Sequence, residues 1–144
     1  MSVVNQPVDS STLELNDHVF RNFMEGDYVE ISYPNAQTAH TNGVDGVSLN
    51  INGRSDADVG VLTVRVLKYS EDDIFLNNQR NQRPSVVFDG SLKTVVQKDG
   101  SELVETYDLI AGSYTTQPQG KLNSQDGNHL SEYMIQFRRA IRSM

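Results

Sequence analysis

Residues 58 to 70 read DVGVLTVRVLKYS, and the alternation within them narrows the fold more than any other feature of the chain. Gly60, Leu62, Val64 and Val66 stand on one side, wholly apolar, and Val59, Val61, Thr63, Arg65 and Leu67 on the other, interrupted only by the arginine. Side chains alternate across a strand but not across a helix, so a period of two predicts a long strand covered on both faces. The period returns elsewhere. DYVEISY sets Val29, Ile31 and Tyr33 against Tyr28, Glu30 and Ser32, and HLSEYMIQFRRA closes the chain with Tyr133, Ile135 and Phe137 on one face. SVVFDGSLKTVVQ and ELVETYDLIAGSY flank KDGS, whose Asp99-Gly100 pair suits a tight hairpin turn. GVSLNING adds a short strand. The expected chain is mainly β, a sandwich or small barrel of six to eight strands.

One stretch breaks this rhythm. In SEDDIFLNNQRNQ, Ser70 stands three residues before Asp73, an approximate capping box, and Glu71, Asp72 and Asp73 fill a first turn where negative charge suits the helix dipole. A short flanking helix over about residues 71–79 follows, with Arg80 and Arg83 near its C-terminal end and Pro84 beyond it. Such a helix is too short to stand alone and is expected to dock through Ile74 and Phe75. The acid run therefore reads as a capped helix start, with a metal or catalytic site as the alternative. Two polar stretches remain, a long loop over residues 34–48 containing Pro34, Gly43 and Gly46, and PQGKLNSQDGN near the C-terminus.

At 144 residues the chain fits one domain, with a polar N-terminal arm over 1–17 and a β domain over 18–144. It has no cysteine, which removes disulfides and thiolate metal sites. No run of 18 apolar residues occurs, so membrane insertion is not expected. The formal charge of −7 is the wrong sign for gripping a polyanion. That charge is uneven: residues 1–60 hold nine acids against Arg21 and Arg54, and the rest of the chain balances at ten of each sign. Arg138, Arg139 and Arg142 make a small basic patch near the end, able to pair with acidic surfaces on another copy.

Motifs for chemistry are missing. His18, His40 and His129 are scattered with no motif around them, and neither a phosphate-binding glycine loop nor a fitting EF-hand loop is found. Asp56 and Asp58 could share one face of a strand as a carboxylate pair, but a solvated turn leading into the strand at Val59 is the simpler and favoured reading. With aromatics at 8% and no tryptophan, there is little sign of a stacking platform. No catalytic residue, metal ligand or cofactor is assigned.

From residue 18 the order of pieces resembles the tail tube proteins of Mu-like and other contractile-tailed bacteriophages. Val19, Phe20, Phe23, Gly26, Asp27, Val29, Pro34 and Asn35 fall where that family has its opening segment. Thr63, Arg65, Val66, Ser70, Asp72, Asp73, Phe75, Leu76 and Asn77 fall where it has the segment leading into the helix. The resemblance implies a virion structural protein, made in the host cytoplasm, that is not an enzyme. It would assemble with itself into hexameric rings, stacked as a hollow tube inside a contractile sheath, through which DNA passes without stable binding. The implied partners are the tail sheath protein and the baseplate and tail-terminator proteins. Two alternatives stay open: a tube-initiator or baseplate ring of the same fold, and a soluble β-sandwich module binding glycan or protein. Under the tube reading, the expected subunit contacts are Pro34, Asn35, His40, Asn42 and Asp45 in the long loop, Phe75 on the helix, and Arg138 and Arg139. Glu30, Glu102 and Asp108, on polar faces of strands, are the expected lumen acids.

Overall fold

A computed structural model describes residues 4–5, 11–21, 28–51, 56–118, 120 and 130–144. Ten strands and one helix follow one another as β1 (Val4–Asn5), β2 (Ser11–Leu15), β3 (His18–Val19), β4 (Val29–Ser32), β5 (Ala39–Asn42), β6 (Ser48–Ile51), β7 (Gly60–Leu67), α1 (Glu71–Arg80), β8 (Phe88–Lys98), β9 (Ser101–Thr116) and β10 (Leu130–Ser143). The chain is mainly β with one helix, as the alternation predicts. The excess over six to eight strands comes from short pieces such as the two-residue β1 and β3. All pairings are antiparallel, and the main sheet runs β3-β2-β8-β9-β10-β7-β4, with β1 alongside the far end of β8. That path is open, ending at β3 and β4 without closing into a barrel among the described residues.

The long alternating segment is β7, with Leu62, Val64 and Val66 fully buried as expected. Its other face is only partly covered: Thr63 is buried, Val61 and Arg65 are half-buried, and Leu67 is exposed. Asp99 and Gly100 turn β8 into β9 with φ of 51° and 77°, the positive values that an Asp-Gly hairpin turn requires. Ser11–Leu15, expected in the polar arm, instead pair with β8 and bury Leu13 and Leu15 completely. Here two buried leucines two residues apart outweigh the polar letters around them.

The strands β9 and β10 turn over once. Tyr133, Ile135 and Phe137 face the core at odd positions of β10, yet the next buried residue is Ala140; on β9, Gly112 and Leu109 show the same change of phase. The change falls at Ala111, whose φ is 56°, opposite the pair Arg138 and Arg139. Beyond it the β8–β9 hairpin continues as a ribbon, half-buried or exposed on both faces from Thr94 to Thr106.

Helix α1 is capped as the sequence implies, with the Asp73 N–H donating to Ser70 Oγ at 3.3 Å. The return contact is displaced by one residue: Asp73 Oδ2 accepts from the Tyr69 N–H at 2.9 Å, and Tyr69 takes a φ of 67°. Docking differs from expectation. Ile74 is 54% exposed, whereas Asp72 and Leu76, one turn apart, are buried and Phe75 packs beside them. A buried carboxylate thus occupies the helix position where an apolar anchor is the default.

Candidate interaction surfaces

The segment expected as a loop over 34–48 is largely a hairpin. β5 and β6 pair Ala39 with Ile51, His40 with Asn50, Thr41 with Leu49 and Asn42 with Ser48, forming a two-stranded sheet that bonds no other strand among the described residues. β5 was hidden because AHTN carries no apolar alternation. The turn is held by the Gly43 N–H donating to Val47 O at 2.7 Å and the Val47 N–H donating to Asp45 Oδ1 at 3.2 Å. One side of the hairpin is polar throughout, with His40, Asn42, Ser48 and Asn50, and Ser48 Oγ donates to Asn42 Oδ1 at 2.7 Å. The other side carries Thr41 and Leu49. Val44, Val47 and Leu49 are exposed at and near the tip, with Asp45 the one charge between them. Three aliphatics within a polar stretch were the available signal, and alternation alone does not reveal it.

Of the residues expected at subunit contacts, His40, Asn42 and Asp45 lie on this hairpin. Pro34 and Asn35 lie at its root, where Asn35 Nδ2 donates to Asp56 O at 3.1 Å. Asp56 and Asp58 form a turn into β7, which agrees with the simpler reading of the pair.

Arg138 and Arg139 lie elsewhere, on β10 at the turnover. Arg139 pairs across the sheet with Ile110, which is 41% exposed, and reaches Asp58 at 3.8 Å with both side chains half in water. Arg138 is exposed and forms no ion pair among the described residues. Arg142 is differently engaged, its Nε donating to Glu105 at 2.7 Å, a contact that raises the guanidinium pKa. Close by, Tyr33 donates to Ala140 O at 2.7 Å, and burial, then the neighbouring Tyr107 and Asp58, push its phenol upward.

Phe75 belongs to a third group. His18 stacks on it with ring centroids 4.1 Å apart, and Phe20 meets both rings edge-on. The His18 Nε2 lies 2.8 Å from Asp72 Oδ1, while Asp72 Oδ2 accepts from the Arg21 N–H at 2.8 Å. The cluster ties β3 to the helix. On the helix's other flank, Tyr133 donates to Asp73 Oδ1 and Tyr114 to Leu76 O, each at 2.7 Å. Burial raises both phenols well above the ordinary tyrosine value, and for Tyr133 the bond to Asp73 adds to it.

The three expected lumen acids all point away from the core. Glu102 and Asp108 share the side of β9 that also carries Val104 and Ile110, and Glu30 alternates with the core-facing Val29 and Ile31 on β4. Glu102 and Asp108 lie on β9, the middle strand of the sheet path, and Glu30 on β4 at one of its two ends. Phe23, Gly26, Asp27 and His129 lie outside the described residues. No group of three or more metal-ligating side chains occurs among the described residues, and no described helix is long and apolar enough to cross a membrane.

No protein-family profile matches the chain, and no curated protein matches its sequence. Among solved structures, it is similar to a chain in the cryo-EM structure of an extracellular contractile injection system, the PVC sheath/tube terminator in its extended state. The TM-score is 0.63 at 15% identity, covering 96% of each chain. At that identity the likeness establishes a shared fold over nearly the full length of both polypeptides.

Proposed function

We propose that this chain is a structural subunit of a contractile tail-type apparatus, building its inner tube from stacked hexameric rings. The observation that carries the proposal is the agreement in fold, over 96% of both chains, with a component of a contractile injection system. It is joined by surfaces left uncovered among the described residues: a hairpin bonded to no other strand, two sheet edges, and a ribbon half-buried or exposed on both faces. In this reading the role is mechanical, with neither cofactor nor catalytic group. Glu30, Glu102 and Asp108 face the lumen, where carboxylates repel phosphates and let DNA pass without sticking. The sheath lies outside, and baseplate and terminator proteins close the two ends in the virion tail.

A second reading, a single ring that caps or starts the tube, is favoured by one observation: the structural neighbour is described as part of a sheath/tube terminator. Negative-stain electron microscopy of the purified chain separates the two. Six-fold rings stacked into hollow tubes are expected, single rings that never stack give the second reading, and strictly monomeric particles at high concentration overturn both.

A further inference from the structure

We propose that the β5–β6 hairpin tip of one copy seats on the patch that Ile110, Arg138 and Arg139 form on the next copy. The proposal rests on the ring-forming reading above and names the two surfaces that meet. A two-stranded hairpin is marginally stable alone in water, and this one bonds no other strand among the described residues. Its tip nevertheless exposes Val44, Val47 and Leu49 around Asp45, the one Asp, Glu, Lys or Arg between residues 36 and 51. Such a piece keeps its shape when something covers it.

The opposite chemistry lies at the turnover of β9 and β10. The change of phase at Ala111 turns Ile110 outward and sets it across from Arg139, with Arg138 next to it. The patch is thus an aliphatic side chain flanked by two exposed guanidinium groups. Acids border it: Asp58 faces Arg139 at 3.8 Å, and Asp108 lies two residues along β9 from Ile110. Arg138 forms no ion pair among the described residues, which makes it the natural counterpart of Asp45. The aliphatics Val44 and Val47 then meet Ile110.

Charge along the chain points the same way. The whole formal excess of −7 belongs to residues 1–60, which include the hairpin, whereas residues 61–144, which include the patch, balance to zero. A copy of the acidic half repels its like and not the neutral half, and Arg138 and Arg139 give that half a local positive patch for Asp45, so the complementary contact is between different regions of two copies. Such a contact is head-to-tail and either closes into a ring or repeats along a stack.

The chain has no cysteine, so a single introduced pair reports directly. Full-length Val44→Cys and Ile110→Cys variants are mixed, oxidised mildly and run on a non-reducing gel. Disulfide-linked dimer is expected in the mixture and not in either variant alone. Dimer in one variant alone, or rings by microscopy with no cross-link in the mixture, overturns this contact while leaving the ring-forming reading intact. A monomeric unmodified chain removes both. As a second measurement, Asp45→Arg and Arg138→Asp are each expected to weaken association by about tenfold and to restore it in combination. Failure of the double variant to recover counts against the seat.

Discussion

Asp72 stands in the sequence as the middle of three acids, and nothing in that run separates it from Glu71 or Asp73. Each nonetheless does a different thing: Glu71 faces solvent, Asp73 closes the cap and receives Tyr133, and Asp72 is buried between the His18 ring and the Arg21 N–H. A helix start explains acids in general, because the dipole and the free N–H groups favour them over the whole first turn. Which one turns inward depends on β3, fifty residues earlier in the chain, and a local pattern contains no such information. Asp72→Ala leaves a histidine and a backbone N–H without their acceptor in a poorly hydrated place. The expected loss is on the order of 2–4 kcal/mol, against within ~0.5 kcal/mol for Glu71→Ala. Urea unfolding midpoints at constant slope measure both, and equal values for the two variants would refute the buried role.

At the level of elements, legibility followed the chemistry of burial. β7 and β10 were readable because one side of each is core, and the helix because its caps are local. β5 was not, since a hairpin with both faces in water has no apolar face to impose a period. β2 was missed within the expected polar arm, its one signal being Leu13 and Leu15 set in polar surroundings. That strand also depends on a close approach: a Cβ on Gly90 would overlap the Glu14 carbonyl oxygen, and main chain cannot move aside as a side chain can. Gly90→Ala is therefore expected to prise β2 from β8 and cost at least about 2 kcal/mol. Faster proteolytic cleavage ahead of residue 18, with β8 to β10 still protected, is the signature to look for; uniform protection along the whole chain would speak against it.

For the molecule as a whole, the fold class came through in the sequence, whereas Val44, Val47 and Ile110 owe their exposure to a hairpin and a turnover that arise from pairing. Global stability carries one readable dependence on pH. Tyr114 and Tyr133 have phenols raised in the folded chain, so above about pH 10 the unfolded chain loses these protons first and the folded state holds them. Stability is then full below that pH and falls above it, by up to about 1.4 kcal/mol per pH unit for the fully buried Tyr133. Denaturant titrations between neutral and strongly alkaline pH should show this fall, and Tyr133→Phe should flatten it. The turnover at Ala111 divides the mechanics of the sheet. Around it, from Gly112 to Leu109, the strands form a wall of the core, and past Thr94 and Thr106 the β8–β9 ribbon runs on as a cantilever without a fully buried residue. Adding or removing residues in matched pairs on β8 and β9 between Thr94 and Thr106 leaves the buried contacts of the body in register, whereas a single unmatched residue swaps the faces of the ribbon beyond it. Reach toward a neighbour can therefore be adjusted in steps of about 7 Å without refolding the body.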